Sequence, residues 1–430
     1  MKIAIVSGVY YPMIDGVATF AHNLALGLAK DKNNEVIVIC PSFTGKRHAE
    51  KKDGVTVFYL KSIRLPFYPD QINEVPPKKK LLGVKMPRMF YRKGFWVSLT
   101  PYKEIKRILR KFKPDVIHSQ TPEPIGVAAS AYARKYDIPF VTTGHSYADQ
   151  LTMQLKALKP IKKPLDAALS KYLVDYQRKS DYATMPTELA IEDLIMKRRK
   201  KFVAPIEALS NGVDLGDFRP GRAKAEIYKK YKLPTERPIV LYVGRVDPEK
   251  SIATVVEAFA GALEKVPEAV LVVVGDGTEK ERLKEQAKYL QIEKNVMFLG
   301  RVMPPELNEI YRTAELFVTA SEIETQGIVL IEAAATGLPL VAVDKGAVRE
   351  VCVDGVNGVL CRPGGDIEGI RTGIEKILLD KELREKMGWE SQKIAEKHDI
   401  AHTIRRFTEI YQEAIERRNI KDWAEEGLVE

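Results

Sequence analysis

Twice along this chain, short runs rich in Val, Ile and Leu alternate with stretches whose apolar residues recur at helical spacing. The first half places strand-like runs at 3–6, 36–40, 55–60, 115–120, 140–144 and 182–186, with Val17, Phe20, Leu24 and Leu28 marking one helix and 126–135 another. The second half starts the rhythm again, with IVLYVG at 239–244, AVLVVVG at 269–275, VMFLG at 296–300, LFVTA at 316–320 and PLVAV at 339–343. Strands of this kind, separated by helices, form parallel sheets covered on both faces. With 430 residues, 45% of them hydrophobic, the chain has material for two such cores. The rhythm breaks at 187–205, so the reading is an α/β protein of two doubly wound, Rossmann-like domains, 1–190 and 206–395, which take ligand at the C-terminal ends of their strands.

The stretch SEIETQGIVLIEA at 321–333 sets Glu324 and Glu332 eight positions apart around a Gln-Gly pair. If Gly327 opens a helix, Glu324 lies in the loop before it and Glu332 about a turn and a half inside. On one continuous helix the two would stand about 12 Å apart, beyond the roughly 5–9.5 Å of a pair that flanks one glycosidic bond. That spacing suits two parts of one long ligand. Between the carboxylates, the N–H groups of Gln326, Gly327 and Ile328 favour an anion such as a diphosphate. The pattern fits a sugar nucleotide; two solvated surface glutamates are the plain alternative.

GRVDPEKS at 244–251 directly follows a strand-like run. Gly244 lets the backbone turn, and Arg245 and Lys250 are placed to reach one anionic group from two sides. Stabilising a departing diphosphate needs such partners, each worth about 3 kcal/mol. In VVVGDGTEKERL at 272–283, Gly275 and Gly277 read equally as a ligand contact or as a strand-to-helix turn, and the spacing is not that of a dinucleotide fingerprint. In YYPMIDGVATF at 10–20, Asp15 and Gly16 stand between a strand and a helix, where bare backbone can approach a diphosphate or a sugar. His145 and His118 each end a strand-like run. No Asp-x-Asp occurs, which argues against a diphosphate held through a metal; Arg245 and Lys250 take that part, with no cofactor required and magnesium at most accessory.

SEIETQGIVLIEAAATGLPLVA, GRVDPEKS, DGVATF and HSQTPEP together resemble the signatures of retaining glycosyltransferases of the two-domain GT-B type, in the large family numbered four. The resemblance covers nearly the whole chain, most firmly 206–365. It implies two domains facing a central cleft, with the last helix, within 401–430, crossing back to the first. By the same resemblance Glu332 holds the ribose hydroxyls, Glu324 with the N–H groups of Gln326, Gly327 and Ile328 holds the sugar, and Arg245 and Lys250 bind the diphosphate. Gly16, Gly244, Gly275, Gly277 and the FLGR segment ending at Arg301 line the donor pocket. His145 bonds a sugar hydroxyl and helps to position the acceptor, whereas His118 supports packing. His145, Glu324, Arg245 and Lys250 are thus the catalytic candidates. Many family members carry two glycines where Asp15 and Gly16 stand. Retention is attributed in this family to same-face attack within a tight ion pair, so no side-chain nucleophile is implied.

The net charge of +10 is concentrated in one place. Residues 76–113 hold thirteen Lys and Arg against one acid, Glu104, interleaved with Leu, Met, Phe, Tyr and Trp96. That mixture suits an anionic membrane surface, each cation contributing about 1 kcal/mol; no nucleic-acid-reading motif accompanies it. A solvated basic helix accounts for 102–113 but not for the aromatic residues at 89–97. KRRKK at 197–201 reads either as an extension of the patch or as a charged linker. No apolar run reaches the ~18 residues of a membrane span, and the first residues read as a buried strand rather than a signal peptide. Cys40, Cys352 and Cys361 are expected to be buried free thiols in a cytoplasmic protein, peripheral on the inner face of the cell membrane.

The expected activity is transfer of a hexose, glucose before others, from a nucleoside diphosphate donor such as UDP-glucose to a lipid hydroxyl such as that of diacylglycerol. Phosphatidylinositol mannosylation stands close behind. A soluble acceptor, a nucleotide-sugar epimerase on the same fold and a non-catalytic nucleotide-binding protein are the further alternatives.

Overall fold

The computed structural model describes residues 1–13, 16–65, 95–145, 162–196 and 204–425. The chain divides into two units, Met1–Ser210 with Thr403–Glu430, and Asn211–His402. In the first unit the strands are β1 (Lys2–Val6), β2 (Glu35–Pro41), β3 (His48–Lys52), β4 (Val55–Leu60), β5 (Ile63–Leu65), β6 (Phe95–Val97), β7 (Val116–Ser119), β8 (Phe140–Thr143), β9 (Tyr182–Met185) and β10 (Ile206–Ala208). Eight of them form one sheet in the order β10-β9-β8-β7-β1-β2-β4-β3, and β5 pairs with β6 apart from it. All neighbours in the large sheet are parallel except β3, which lies antiparallel to β4 at the edge. Every residue of β3 is exposed, and its two lysines and glutamate keep that edge from recruiting another strand.

Ile3, Ala4, Ile5 and Val6 of β1 are wholly buried, as a strand covered on both faces requires. The helix Gly16–Ala29 lays Phe20, Ala21, Leu24 and Leu28 on one face of the sheet. Phe407, Ile410, Tyr411 and Ala414, from the helix Ile400–Glu425, join the same core. A Cβ on Gly27 would stand 2.0 Å from Cδ1 of Ile404, so the bare glycine makes room for that side chain where the two helices meet. Arg406 fastens the last helix further, bonding Glu207 of β10 at 2.7 Å, while Glu413 on its own helix holds the guanidinium from the other side at 2.7 Å.

The second unit holds β11 (Ile239–Val243), β12 (Val270–Val274), β13 (Val296–Gly300), β14 (Leu316–Val318), β15 (Leu340–Val343) and β16 (Gly358–Cys361). Their order, β13-β12-β11-β14-β15-β16, all parallel, is that of the Rossmann fold, and it reverses direction between β11 and β14. The loops leaving the C-terminal ends of those two strands therefore open on a crevice made for ligands.

The unit boundary falls at Ser210 and Asn211 rather than at 206, because Ile206–Ala208 pairs in register with β9 and so completes the first sheet. The last segment likewise joins the first unit from Thr403 rather than 401. All three cysteines are buried and free. No helix among the described residues is long and apolar enough to cross a membrane.

Candidate active site

Two loops meet at the switch point of the second sheet. The one after β11 carries Gly244, Arg245, Asp247 and Lys250; the one after β14 carries Ser321, Glu324, Gln326 and Gly327. Lys250 Nζ lies 2.6 Å from Glu324 Oε1 and 3.4 Å from Ser321 Oγ, with both charged side chains mostly shielded from solvent. Arg245 turns the other way, donating from Nη1 to Asp247 Oδ2 at 2.7 Å and from Nη2 to Glu249. Beneath them the buried Tyr242 donates its hydroxyl to the Arg245 carbonyl at 2.9 Å. Its hydroxyl is pushed well above the usual range, by burial first and then by the charges of Glu324, Asp247 and Glu249 against that of Arg245. These charges thus crowd around the end of one strand.

The glycines here serve the backbone. A Cβ on Gly275 would stand 1.8 Å from the Gly244 carbonyl oxygen, and one on Gly277 2.2 Å from that of Val246. The loops after β11 and β12 pack main chain to main chain, and the turn reading of Gly275 and Gly277 has a physical basis whether or not ligand also touches them. Asp247 locks this contact from the side, its Oδ1 accepting from the Thr278 N–H at 2.9 Å and hydroxyl at 3.0 Å. Gly300, in the left-handed region at φ 74°, accepts from the Gly275 N–H at 2.8 Å, and Arg301 follows it exposed on the surface.

Gly327 caps the helix Ile328–Ala335 in the left-handed conformation, φ 78° and ψ 54°, which glycine adopts without strain. The ladder within this helix begins with the N–H of Leu330 on the Gly327 carbonyl, so those of Ile328 and Val329 precede it, as at any helix start. Gln326 is buried, and its Oε1 accepts the N–H of Asn211 at 3.2 Å. Glu332, the fifth residue of the helix, accepts the Tyr311 hydroxyl on Oε2 at 2.7 Å; Oε1 makes no hydrogen bond among the described residues. Burial raises its carboxyl to about 7 against the pull of the Tyr311 bond. Tyr311 and Asp247 were not singled out by sequence reasoning: Tyr311 lies 21 positions from its partner with nothing between to signal the contact, whereas Asp247 stood inside a motif already recognised.

In the first unit Gly16 starts its helix; Asp15, like residues 76–94 and 197–201 of the basic segments, lies outside the described residues. One turn on, Phe20 packs its ring 5.2 Å from that of His145, which bonds Gln120 Oε1 from Nε2 at 2.8 Å. His118 is fully enclosed, bonding Tyr411 from Nδ1 at 2.7 Å and Thr143 from Nε2 at 2.8 Å, and so belongs to the packing. Burial lowers both histidines to about 3, so both are neutral at ordinary pH. The helix Tyr102–Phe112 buries Ile105, Ile108 and Leu109, leaving its cations outward.

Comparison with known proteins agrees with this architecture. Residues 223–394 match the family described as glycosyl transferases group 1, and 14–217 match glycosyltransferase family 4. An alpha-monoglucosyldiacylglycerol synthase of Streptococcus pneumoniae is 28% identical over 86% of this chain and 77% of its own length. One of the same name from Acholeplasma laidlawii is 29% identical over 84% of each chain. A GDP-mannose-dependent alpha-mannosyltransferase of Mycobacterium tuberculosis is 28% identical over 86% of this chain and 85% of its own. In fold, sucrose-phosphate synthase from Thermosynechococcus elongatus superimposes with a TM-score of 0.75 at 19% identity, covering 96% of this chain and 98% of its own. Matched by family models across both units and built on two parallel Rossmann-like sheets, the chain belongs to the GT-B glycosyltransferases of family 4.

Proposed function

We propose that this glycosyltransferase moves glucose from UDP-glucose to the hydroxyl of a membrane lipid such as diacylglycerol, with retention of the anomeric configuration. The observation that carries the reading is the Lys250–Glu324 pair at the Rossmann switch point, 2.6 Å long and shielded from water. A cation and a carboxylate that neutralise each other there are set to separate onto one ligand, Lys250 taking a diphosphate oxygen and Glu324 the sugar hydroxyls. Arg245 leaves Asp247 and Glu249 to share the diphosphate charge. Each such partner lowers the barrier to leaving-group departure by about 3 kcal/mol. Oε1 of Glu332, which no hydrogen bond among the described residues engages, accepts from the ribose, and the helix start at Gly327 faces the anionic part of the donor. His145 bonds a sugar hydroxyl and helps to place the acceptor. The attacking hydroxyl arrives on the face that the diphosphate leaves, so no side-chain nucleophile or resident metal is required.

The lipid acceptor is supported by the names of two relatives and by the thirteen-to-one excess of cations in 76–113. In the helix Tyr102–Phe112 the apolar face is spent on the core, so this part meets an anionic surface through charge alone. Such binding makes the enzyme peripheral, on the inner face of the cell membrane. The mannosyltransferase relative favours a second reading, GDP-mannose as donor with phosphatidylinositol as acceptor.

The test is nucleoside diphosphate release from a panel of UDP- and GDP-sugars, with and without diacylglycerol or phosphatidylinositol in anionic vesicles. Turnover of UDP-glucose that requires diacylglycerol, giving an α-linked product by NMR, supports the proposal. GDP-mannose turnover with phosphatidylinositol selects the second reading, and release indifferent to any lipid overturns both.

A further inference from the structure

We infer that Gln120 is a positioning residue for His145: its carbonyl oxygen takes the Nε2 proton of the imidazole, fixes that tautomer and leaves Nδ1 free to accept a hydrogen bond from a sugar hydroxyl. The inference rests on the reading above only in assigning the sugar to His145. The tautomer follows from the geometry. Gln120 Oε1, 2.8 Å from His145 Nε2, can only accept, so the proton between them belongs to the histidine. Nδ1 of His145 then holds a lone pair, and no hydrogen bond engages it among the described residues.

What fixes the amide is the interior of the first unit. Gln120 is 1% exposed, and its Nε2 lies 3.2 Å and 3.1 Å from the two ring nitrogens of His118. His118 is itself held by Tyr411 of the last helix at 2.7 Å and by Thr143 at 2.8 Å, and Thr143 bonds Thr184 on β9 at 2.7 Å. A chain of contacts therefore runs from the last helix through His118 and Gln120 to the imidazole of His145, which packs against Phe20 of the helix Gly16–Ala29. The titratable groups packed along it are His118 and Tyr411, both kept neutral by burial, and no charged neighbour shifts His145. A neutral acceptor of fixed direction discriminates a sugar hydroxyl from a water far better than a ring that can turn over, because its lone pair costs nothing to orient when ligand arrives.

The chain has six histidines, few enough for selective labelling. The full-length protein with 15N-histidine is to be titrated from pH 5 to 9 by two-bond 1H–15N correlation, with His145→Gln assigning the signals. The expected result is a neutral Nε2–H tautomer for His145 throughout; an Nδ1–H tautomer, or titration near the ordinary 6.5, overturns the proposal. Gln120→Glu keeps the shape and the acceptor but adds a charge that draws a second proton onto His145. This variant is expected to gain a limb below neutral pH in donor kcat/KM, with a loss of tenfold or more at pH 6, while its thermal midpoint at pH 8 stays near that of the wild type. Gln120→Leu, which releases the ring, is expected to mix the tautomers, and an unmixed signal there overturns the positioning role. If the tautomer is as stated but the Gln120→Glu activity profile does not move, the positioning stands and the assignment of sugar to His145 falls.

Discussion

At the end of β11, Lys250 and Glu324 neutralise each other at 2.6 Å, and Arg245 is shared between two acids; at the end of β8, His145 is uncharged and rests on a buried amide. At these two strand ends the second unit holds its polar groups by opposite charge, the first by hydrogen bonds between neutral partners. Charged pairs exchange partners when a charged ligand enters, since one Coulombic contact replaces another. A buried neutral network resists exchange, because each broken bond leaves a desolvated donor or acceptor. The first arrangement suits a diphosphate that binds and leaves in every cycle, the second a wall that must stay in place.

The comparison breaks most directly at Lys250. Lys250→Ala removes the cation and strands Glu324, and is expected to lower kcat/KM for the donor by about a hundred- to a thousandfold in a diphosphate-release assay. Glu332 is the informative intermediate, a carboxylate treated as the first unit treats its histidines. Its folded value of about 7 exceeds the unfolded one of 4.5, so the folded chain binds more protons between those values and stability falls as pH rises through that window, by roughly 3 kcal/mol. His118 and His145, lowered from 6.5 to about 3, act in the opposite sense, and their contribution is lost as pH falls below 6.5. Glu332→Gln should therefore raise donor KM by about ten- to a hundredfold and remove the fall in stability that Glu332 contributes, so that the thermal midpoint climbs more steeply between pH 5 and 6.5 under the histidine slope alone.

Tyr311→Phe is a smaller change. It deletes the bond that pulls the Glu332 carboxyl down, so the acid limb of donor binding should move to higher pH, with about 1 kcal/mol lost from stability by denaturant titration. Lys284→Ala sets the floor: its exposed 3.0 Å pair with Glu281 is expected to matter by less than about 0.5 kcal/mol and to leave donor kinetics unchanged.

The same contrast explains what could be read in advance. The parallel strands declared themselves because burial on both faces leaves unbroken apolar runs such as VLVVV in β12. β3 is invisible to that signal, HAEKK being exposed at every position, and β10 and β16 are short and partly exposed. At the switch point, Glu324, Glu332, Arg245 and Lys250 were legible because each motif is contiguous in sequence. The pairing of Lys250 with Glu324, 74 positions apart, was not, nor that of Tyr311 with Glu332 or of Gln120 with His145, since spacing carries no information on which strand end meets which. Gly275 and Gly277 stood open between ligand and turn until the Gly244 and Val246 carbonyls were seen beneath them.

Phe407, Ile410, Tyr411 and Ala414 give the return of the last helix a consequence for biosynthesis. The face of the first sheet that these four side chains cover leaves the ribosome before they do. The 192 residues of Asn211–His402 must be made before the helix that closes it appears, a delay of roughly 10–40 s at ordinary elongation rates. The half translated second is thus free to finish folding first. The half translated first waits for the helix Ile400–Glu425, and during that wait its uncovered apolar face is open to chaperones and to aggregation.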